Sequence, residues 1–497
     1  MIPAVKISMQ RIIQNLPENV ELSSEVQLTI KFGFDGSGSH SIYNQVNNAQ
    51  TNNIVLTMFC PLSIENNNGK ILWCQNSPNS PYSQRPLALQ MGKESIENLQ
   101  TLSIFNKPLE HLVNIGFQLS DNITVKIKLG SYMMDRKGTD YYLGVAGAYC
   151  DLCSLSKEQC HNINIVSEGI NIDRDIDSLH RIFEELVKYD GIILKRKKDY
   201  NIRKGVCNKS IATNQAFCIQ VLHSLLRCFD SFMKAVVHVK AGVFDWSEAK
   251  PEHKIKLEDA KHKLQNKIAE ETGVKWDFPD KTGKGGTTTI GNNCKRLIHL
   301  ERELIISELP DDHKDTFRYF GQHLSVILRV MSSKEKVDVE KFKHFCTDLY
   351  VFLLQNFTCD TEKDQSIAEM DQQLTENNQD VSWIRITPTL HKVLAHSWEL
   401  IAHNDGVGLG ALDESGLEGC NKILRNVRNN ISRKTYQKDN LINTIKQMWI
   451  SSDPVVIHER FKIQTMCKVC KTAGHSLRSY NSVKAISPPE MTIYSKA

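Results

Sequence analysis

No stretch of the 497-residue sequence is apolar for long enough to cross a membrane. The longest candidate, Phe217 to Val239, is interrupted by Arg227, Asp230 and Lys234 and reads as a buried or amphipathic helix. Met1 to Gln10 lacks the pattern of a secretory signal. The 14 cysteines have none of the dense, regular spacing of a secreted disulfide scaffold. With two CxxC pairs among them, they fit reduced thiolates in an intracellular compartment. Charge of one sign is scarce too: a formal net charge of +4 is too weak to argue for nucleic acid by itself, so local clusters must carry that case. No internal repeat is visible. The string Gly283-Lys284-Gly285-Gly286-Thr287 lacks the GxxxxGK(S/T) spacing of a nucleotide-binding loop, which removes the motif-based argument for ATP. What is present is ordinary for a folded protein, 40% apolar and 24% charged residues, at a length that calls for two packed units or one unit with a large insertion.

Periodicity divides the chain. Leu28, Ile30, Phe32 and Phe34 alternate with Thr29, Lys31 and Gly33, which predicts a half-buried strand over 27–34 ended by Asp35. Short β-rich runs follow at 53–60 and 69–74. Helical spacing is expected over about 87–112. A fourth strand at 123–129 then runs toward Asp135. After Cys153 the apolar residues fall at spacings of three and four, predicting helices over 176–189, 212–239, 253–272, 293–309, 312–331 and 339–357. The acidic, Gln-rich segment 359–380 reads as an exposed loop, after which helical spacing returns at 390–403 and 417–431.

Asp35 leads into Gly36-Ser37-Gly38-Ser39, which lets the chain turn sharply and leaves a strand-end carboxylate facing solvent or metal; an ordinary Asp-Gly turn gives the same string. Asp135 ends the fourth strand. On a helix, Glu418 shares a face with Lys422, Arg425 and Asn429, while Leu417, Leu424, Val427 and Ile431 form the opposite, buried stripe. An acid on a basic face suits a phosphodiester substrate, the acid holding metal and the cations tracking the backbone. A solvated face with an i, i+4 Glu–Lys pair is the plainer alternative.

Taken in order, the strings Phe32-Gly33-Phe34-Asp35-Gly36-Ser37-Gly38-Ser39, Arg85-Pro86-Leu87-Ala88-Leu89 leading to Lys93-Glu94-Ser95, Met134-Asp135, Gly285 to Asn292, Leu390 to His396, and Leu412-Asp413-Glu414-Ser415-Gly416-Leu417-Glu418 through Asn421-Lys422 resemble the motifs of Transib transposases, which share descent with the catalytic subunit of the V(D)J recombinase. The resemblance spans about residues 20–455. It implies an α/β fold with an RNase H-like core, a mixed β-sheet with flanking helices. In the family a large all-α, zinc-clamped insertion separates the fifth strand from the helix bearing the last Glu. The corresponding divisions here are a lead-in segment 1–24, the first part of the core 25–149, the insertion 150–405, the last core helix 406–450 and a tail 451–497.

The resemblance places Asp35, Asp135 and Glu418 as an acidic triad for two Mg²⁺ or Mn²⁺ ions, with Glu94 where the family carries a fourth acid; a Glu favoured by the dipole at a helix start is the other reading of Glu94. Two such ions, about 3.5–4 Å apart, activate a nucleophile on one side of a phosphate and stabilise the leaving oxygen on the other, and hard oxygen ligands select them. The implied activity is cut-and-paste transposition by a nuclear homodimer acting on terminal inverted repeats and target DNA, without an accessory subunit or a membrane. Water nicks one strand, the freed 3′-hydroxyl forms a hairpin on the flanking DNA, and the element's 3′ ends later join target DNA. A domesticated DNA-binding protein that no longer cuts, and a simple RNase H-like nuclease, are the competing classes. Only about two dozen residues precede the first strand, so the upstream regions that recognise DNA ends in recombinase relatives are expected to be missing or reduced.

Cys150 and Cys153 form a CxxC, and His391 and His396 an HxxxxH, a spacing seen in Cys₂His₂ zinc sites. Spacing alone does not pair the two; the resemblance does, with one structural Zn²⁺ clamping the ends of the insertion. Positions five apart diverge by about 140° on an ideal helix, so the helix is distorted or one His lies beyond its end, and His403 is a rival ligand. Cys467, Cys470 and His475 could hold metal, though a free pair of thiols is the simpler reading. The dense basic run Lys195 to Lys198 with Arg203 and Lys204, and Lys281, Lys284, Lys295 and Arg296 around the Gly/Thr-rich segment, could neutralise DNA phosphates or be solvated faces. Lys284, Asn292, Lys295, Arg296, Lys422 and Arg425 are the expected DNA contacts, and a Gly/Thr loop ahead of a helix near Asn293 could hold a phosphate on its amides.

Overall fold

The computed structural model describes residues 1–38, 53–92, 94–95, 99, 102–145, 149–157, 159–190, 205–212, 220–243, 251–277, 291–357, 386–431 and 437–459. Its centre is a mixed six-stranded sheet, β1 (Glu25–Ser37), β2 (Ile54–Asn66), β3 (Ile71–Cys74), β4 (Arg85–Met91), β5 (Phe117–Ser120) and β6 (Ile123–Met133). The order is β3-β2-β1-β6-β5, and β4 pairs with β2 beyond the end of β3. β1 runs antiparallel to β2 and parallel to β6.

The sheet is covered on both faces. Val26, Leu28, Ile30, Phe32 and Phe34 of β1 point to one side, where they pack with Val5, Met9 and Ile12 of the helix Ile2–Ile13 and with Leu109 and Leu112 of the helix Asn106–Asn114. Residues two apart share a face, so Lys31, Gly33 and Asp35 point to the other side. There Leu56, Met58, Leu89 and Met133 meet Leu417, Cys420 and Leu424 of the helix Ser415–Asn426, together with Leu441, Ile445 and Met448 of the helix Gln437–Ser451. Burying Leu417 and Leu424, each at most 1% exposed, is worth roughly 1.5–3 kcal/mol apiece and fixes the rotation of their helix.

Three expectations about the sheet change. β1 continues through Asp35 to Ser37, with Asp35 paired to Leu56, so the acid lies within the strand and does not end it. Arg85–Met91, whose residues from Leu87 on were expected to open a helical stretch, is strand β4; nearly all of it is buried, which erases the alternation that would have marked it. The strand preceding the insertion is the sixth, because the short β5 forms a hairpin with β6.

Between Cys150 and Asp405 the described residues contain helices and no sheet strand. Val221–Ala241, Pro251–Thr272, Asp311–Ser332 and Val339–Phe357 enclose a separate core around Phe229, Phe232, Phe317 and Phe320. The helix expected over 293–309 is two pieces, Gly291–His299 and Arg302–Ser307. No helix among the described residues is long and apolar enough to cross a membrane.

Candidate active site and metal centre

Parallel pairing sets up the acid cluster. Gly33 pairs with Met133 as the last couple of β1 and β6, and two residues further along the chain from each come Asp35, still in β1, and Asp135, just past β6. Adjacent strands lie about 4.8 Å apart, so equal register delivers the two carboxylates side by side. Gly33 is required there: a Cβ would come 1.8 Å from the carbonyl oxygen of Met133. Asp135 caps the helix Arg136–Leu143, its Oδ1 accepting the N–H of Gly138 at 2.6 Å. Glu94 reaches the same place. A side chain at Gly138 would meet Glu94 Oε1 at 2.9 Å and Asp135 Oδ1 at 3.2 Å, and one at Gly36 would meet Glu94 Cβ at 3.1 Å. Glycine at 138 therefore leaves open the space between the two acids.

Glu418 arrives from the second face of the sheet, where the helix Ser415–Asn426 also brings Asn421, whose Nδ2 donates to Asp35 Oδ2 at 2.6 Å. The acids sense one another. Burial, then the charges of Asp135 and Glu418, raise the Asp35 carboxyl to about 7. Burial, then Asp135 and Asp35, raise Glu94 to about 8. Glu418 is raised by burial, against the pull of His223 and with the help of Asp413 and Asp135. The four carboxylates, from distant parts of the sequence, are thus linked neighbours whose repulsion bound cations would relieve, although among the described residues no three of them bring ligand oxygens within 4.8 Å of one another. The donor set is all oxygen, which fits hard divalent ions.

His223, a residue that periodicity did not single out, closes the cluster. It lies in the first turn of the helix Val221–Ala241, with Nδ1 2.9 Å from Glu414 Oε1 and Nε2 3.1 Å from Glu418 Oε1. Burial disfavours its charge, but the Glu414 hydrogen bond and the charges of Glu414, Glu418 and Asp135 win, and it is raised to about 9. An open pocket beside the cluster is lined by Asp135, Lys137, Gln220, His223 and Arg227.

The basic residues fall in two places. Lys422 and Arg425 are exposed on the helix of Glu418, opposite buried Leu417, Leu424 and Val427, as the spacing predicted. Asn292, Lys295 and Arg296 are exposed on the helix Gly291–His299. That helix begins beside Leu222, the neighbour of His223, since a Cβ at Gly291 would meet Leu222 Cδ1 at 2.6 Å. The side chain of Ile431, the residues Lys281 and Lys284, the basic run 195–204, the loop 359–380 and Cys467, Cys470 and His475 lie outside the described residues.

The second cluster is different in kind. Cys150, Cys153, His391 and His396 are buried, with one ligand atom from each lying within 4.8 Å of all the others. A π-helical segment, Lys392–His396, brings the two histidines together, because its i to i+5 bonding turns residues five apart onto one side. Outer partners aim each ring. Tyr350 donates to the carbonyl of Cys160 at 2.8 Å and lies 2.8 Å from His391 Nδ1, leaving His391 Nε2 3.1 Å from Cys153 Sγ. His396 Nδ1 lies 2.8 Å from Glu399 Oε2, while its buried Nε2 has no hydrogen-bond partner among the described residues. An orphaned ring nitrogen facing two thiols is what a fourth-ligand position requires, and the set is compatible with zinc. His403 is exposed and outside the cluster. The cluster is wired to the acids: buried Asp151, within the CxxC, pairs with Arg136 at 2.6 Å and with Lys392 at 2.8 Å, and Arg136 directly follows Asp135.

A mixed sheet flanked by helices, with acids gathered at one strand end, defines an RNase H-like fold of the nuclease class. Residues 28–113 match the family model of the Recombination-activation protein 1 (RAG1) RNase H domain, a stretch that contains Asp35 and Glu94 and stops before Asp135 and Glu418. Over this stretch the chain is similar to that domain, and the match supports a recombinase- or transposase-like function, the use of divalent metal and DNA as partner. No curated protein matches the sequence.

Proposed function

We propose that the chain is a cut-and-paste DNA transposase of the Transib type, which nicks DNA at the ends of an element, forms hairpins on the flanking DNA and joins the element's 3′ ends to target DNA. The observation that carries this reading is the convergence of Asp35, Asp135, Glu418 and Glu94, with Asp35 and Glu94 held near 7 and 8 by burial and by one another. Bound there, two Mg²⁺ or Mn²⁺ ions would supply an activated nucleophile and charge stabilisation at the leaving oxygen. Asp35, Asp135 and Glu418 would hold the ions, with Glu94 as a fourth ligand.

The remaining work falls to protein side chains. Asn421 fixes the rotamer of Asp35. His223 presents Nε2 at the edge of the cluster, where it can donate a proton or hydrogen bond to a phosphoryl or leaving oxygen. Lys422 and Arg425 on one side, and Asn292, Lys295 and Arg296 on the other, are suited to neutralise phosphates and hold the backbone in line. Nicking, hairpin formation and joining are all in-line displacements: an oxygen–phosphorus bond forms as the opposite one breaks, with water attacking in the first and a 3′-hydroxyl in the other two. One set of ligands therefore serves all three. Zinc held by Cys150, Cys153, His391 and His396 would fix the ends of the insertion. Two element ends must be cut and joined together, which argues for a homodimer; its place of work would be the nucleus.

The test is incubation of the full chain with duplex DNA carrying the inverted repeats that flank its own coding sequence, in Mg²⁺ or Mn²⁺, with products resolved on a denaturing gel. Nicks and hairpins from the wild type, lost in Asp35→Ala, are expected. Tight, metal-independent DNA binding without any cleavage would instead favour a protein that has kept the fold and lost the chemistry.

A further inference from the structure

We propose that Glu414 is a positioning residue for the reaction at the acid cluster, acting through His223; this rests on the transposase reading above. Glu414 stands at the boundary of the helix that carries Glu418, and it is only 2% exposed. One oxygen, Oε1, engages a single residue twice: it accepts the backbone N–H of His223 at 3.0 Å and lies 2.9 Å from ring Nδ1. The first bond fixes where the residue begins its helix, and the second fixes how the ring is turned. Only one direction is then left for Nε2, which stands 3.1 Å from Glu418. A carboxylate on one imidazole nitrogen sets the orientation and proton placement of the other.

The pair Asp413–Glu414 is itself referenced to the sheet. Lys31, on the same face of β1 as Asp35, donates from Nζ to the carbonyl of Asp413 at 2.6 Å, and the side chain of Asp413 accepts the N–H of Leu222 at 3.1 Å. The ring is thereby held in a frame shared by the strand of Asp35, the helix of Glu418 and the first long helix of the insertion. Glu414 is also buried beside a second acid, Asp413, so two carboxyl groups share one desolvated corner next to the ring. Such costs concentrate at working sites.

The experiment compares His223→Ala, Glu414→Ala, their double variant and Glu414→Gln in single-turnover nicking of supercoiled plasmid in Mn²⁺. Glu414→Ala is expected to lower the rate constant about 10–100-fold, the scale for residues that orient a ligating or reacting group. KM for DNA should stay near the wild-type value, and the double variant should be no slower than His223→Ala. Glu414→Gln, which keeps the acceptor, should recover part of the loss. Additive losses in the double variant would overturn the proposal. Zinc content and melting temperature identify a misfolded variant, and the near-isosteric Glu414→Gln keeps the comparison decisive. The ring is also read directly: the Nδ1–H imidazole resonance of His223 should be present in the wild type and in Glu414→Gln and lost in Glu414→Ala. A resonance unchanged by Glu414→Ala overturns the positioning claim alone; a wild type that shows it yet nicks neither plasmid nor end-bearing DNA overturns the transposase reading.

Discussion

The two clusters lie one residue apart in a chain of contacts, Asp135 next to Arg136 and Arg136 on Asp151, yet they are built on opposite principles. The Cys/His cluster is closed: ligand atoms within 4.8 Å, all four residues buried, each ring aimed by an outer partner. The acid cluster is open: like charges share a site, offset by Asn421, His223, Lys137 and the backbone N–H of Gly138, and Glu418 keeps 39% of its side-chain surface. A structural metal wants a finished cage that folding completes. A working metal site must leave positions for substrate, so its ligands stay strained until ions and DNA arrive. The contrast predicts opposite responses to removing a ligand.

The largest expected effect is on chemistry. Asp35→Ala should reduce cleavage by about 10³-fold or more, at or beyond the upper end for losing one charge-stabilising group. It should leave zinc content intact and the melting temperature unchanged or higher, since it removes one of several repelling charges. Coupled loss of zinc and of thermal stability would show that Asp35 is structural. The counterpart is His396→Ala, which opens the closed cluster. Zinc should fall below one per chain and the melting temperature by about 10 °C or more, taking several kcal/mol for a lost metal at roughly 2–4 °C per kcal/mol. Full zinc occupancy in this variant would return the histidines to the status of core residues.

How far the sequence foretold this depends on what each residue leans on. Asp35 and Asp135 were legible because alternation marks the strands that lead to them, although β1 runs two residues past Asp35. The Glu418 helix was legible through its apolar stripe. The five-residue spacing of His391 and His396 implied either a distorted helix or a His beyond its end, and the π-helical segment is the first of these. Strand β4 was illegible because burial on both sides leaves no alternation. The helix Ile2–Ile13 had a signal, Val5, Met9 and Ile12 at spacings of four and three, and forms part of the sheet's cover. His223 left no trace. Its role comes from a first-turn position opposite Asp413 and Glu414, a juxtaposition made entirely by tertiary packing.

Acidity offers a smaller, reversible way to sharpen the contrast. Asp35, Glu94 and Glu414 are raised to about 7, 8 and 8, so the folded protein binds protons that the unfolded chain has already released. Their contribution to stability is complete below the ordinary carboxylate range and is lost as pH rises through those values. His223, raised to about 9, acts in the same direction: its contribution is present below about 6.5 and lost as pH rises through 9. Without divalent metal, the melting temperature should decline from pH 5.5 to 8.5, and Mg²⁺ or Mn²⁺ should raise it most at the alkaline end. A curve that climbs over this range, or a metal-induced shift independent of pH, contradicts the open-cluster account.

The smallest effects belong to the cations around the acids, and these separate the two bodies of the molecule. Lys422 and Arg425 are exposed on the core helix, with no ion pair to another described residue, so each can exchange solvent counterions for a phosphate. Replacing either with Ala should flatten the slope of log affinity against log salt by about 0.9, the value per neutralised phosphate on duplex DNA. Arg296, on the insertion, lies 3.2 Å from Glu301, with the two side chains 44% and 31% exposed. Its charge is already partly spent, so Arg296→Ala should change the slope by less than Lys422→Ala does, and Glu301→Ala should steepen it. Equal slopes for all three Ala variants at cationic positions would mean that the Glu301 contact is given up on binding DNA, and that insertion and core grip the backbone on the same terms.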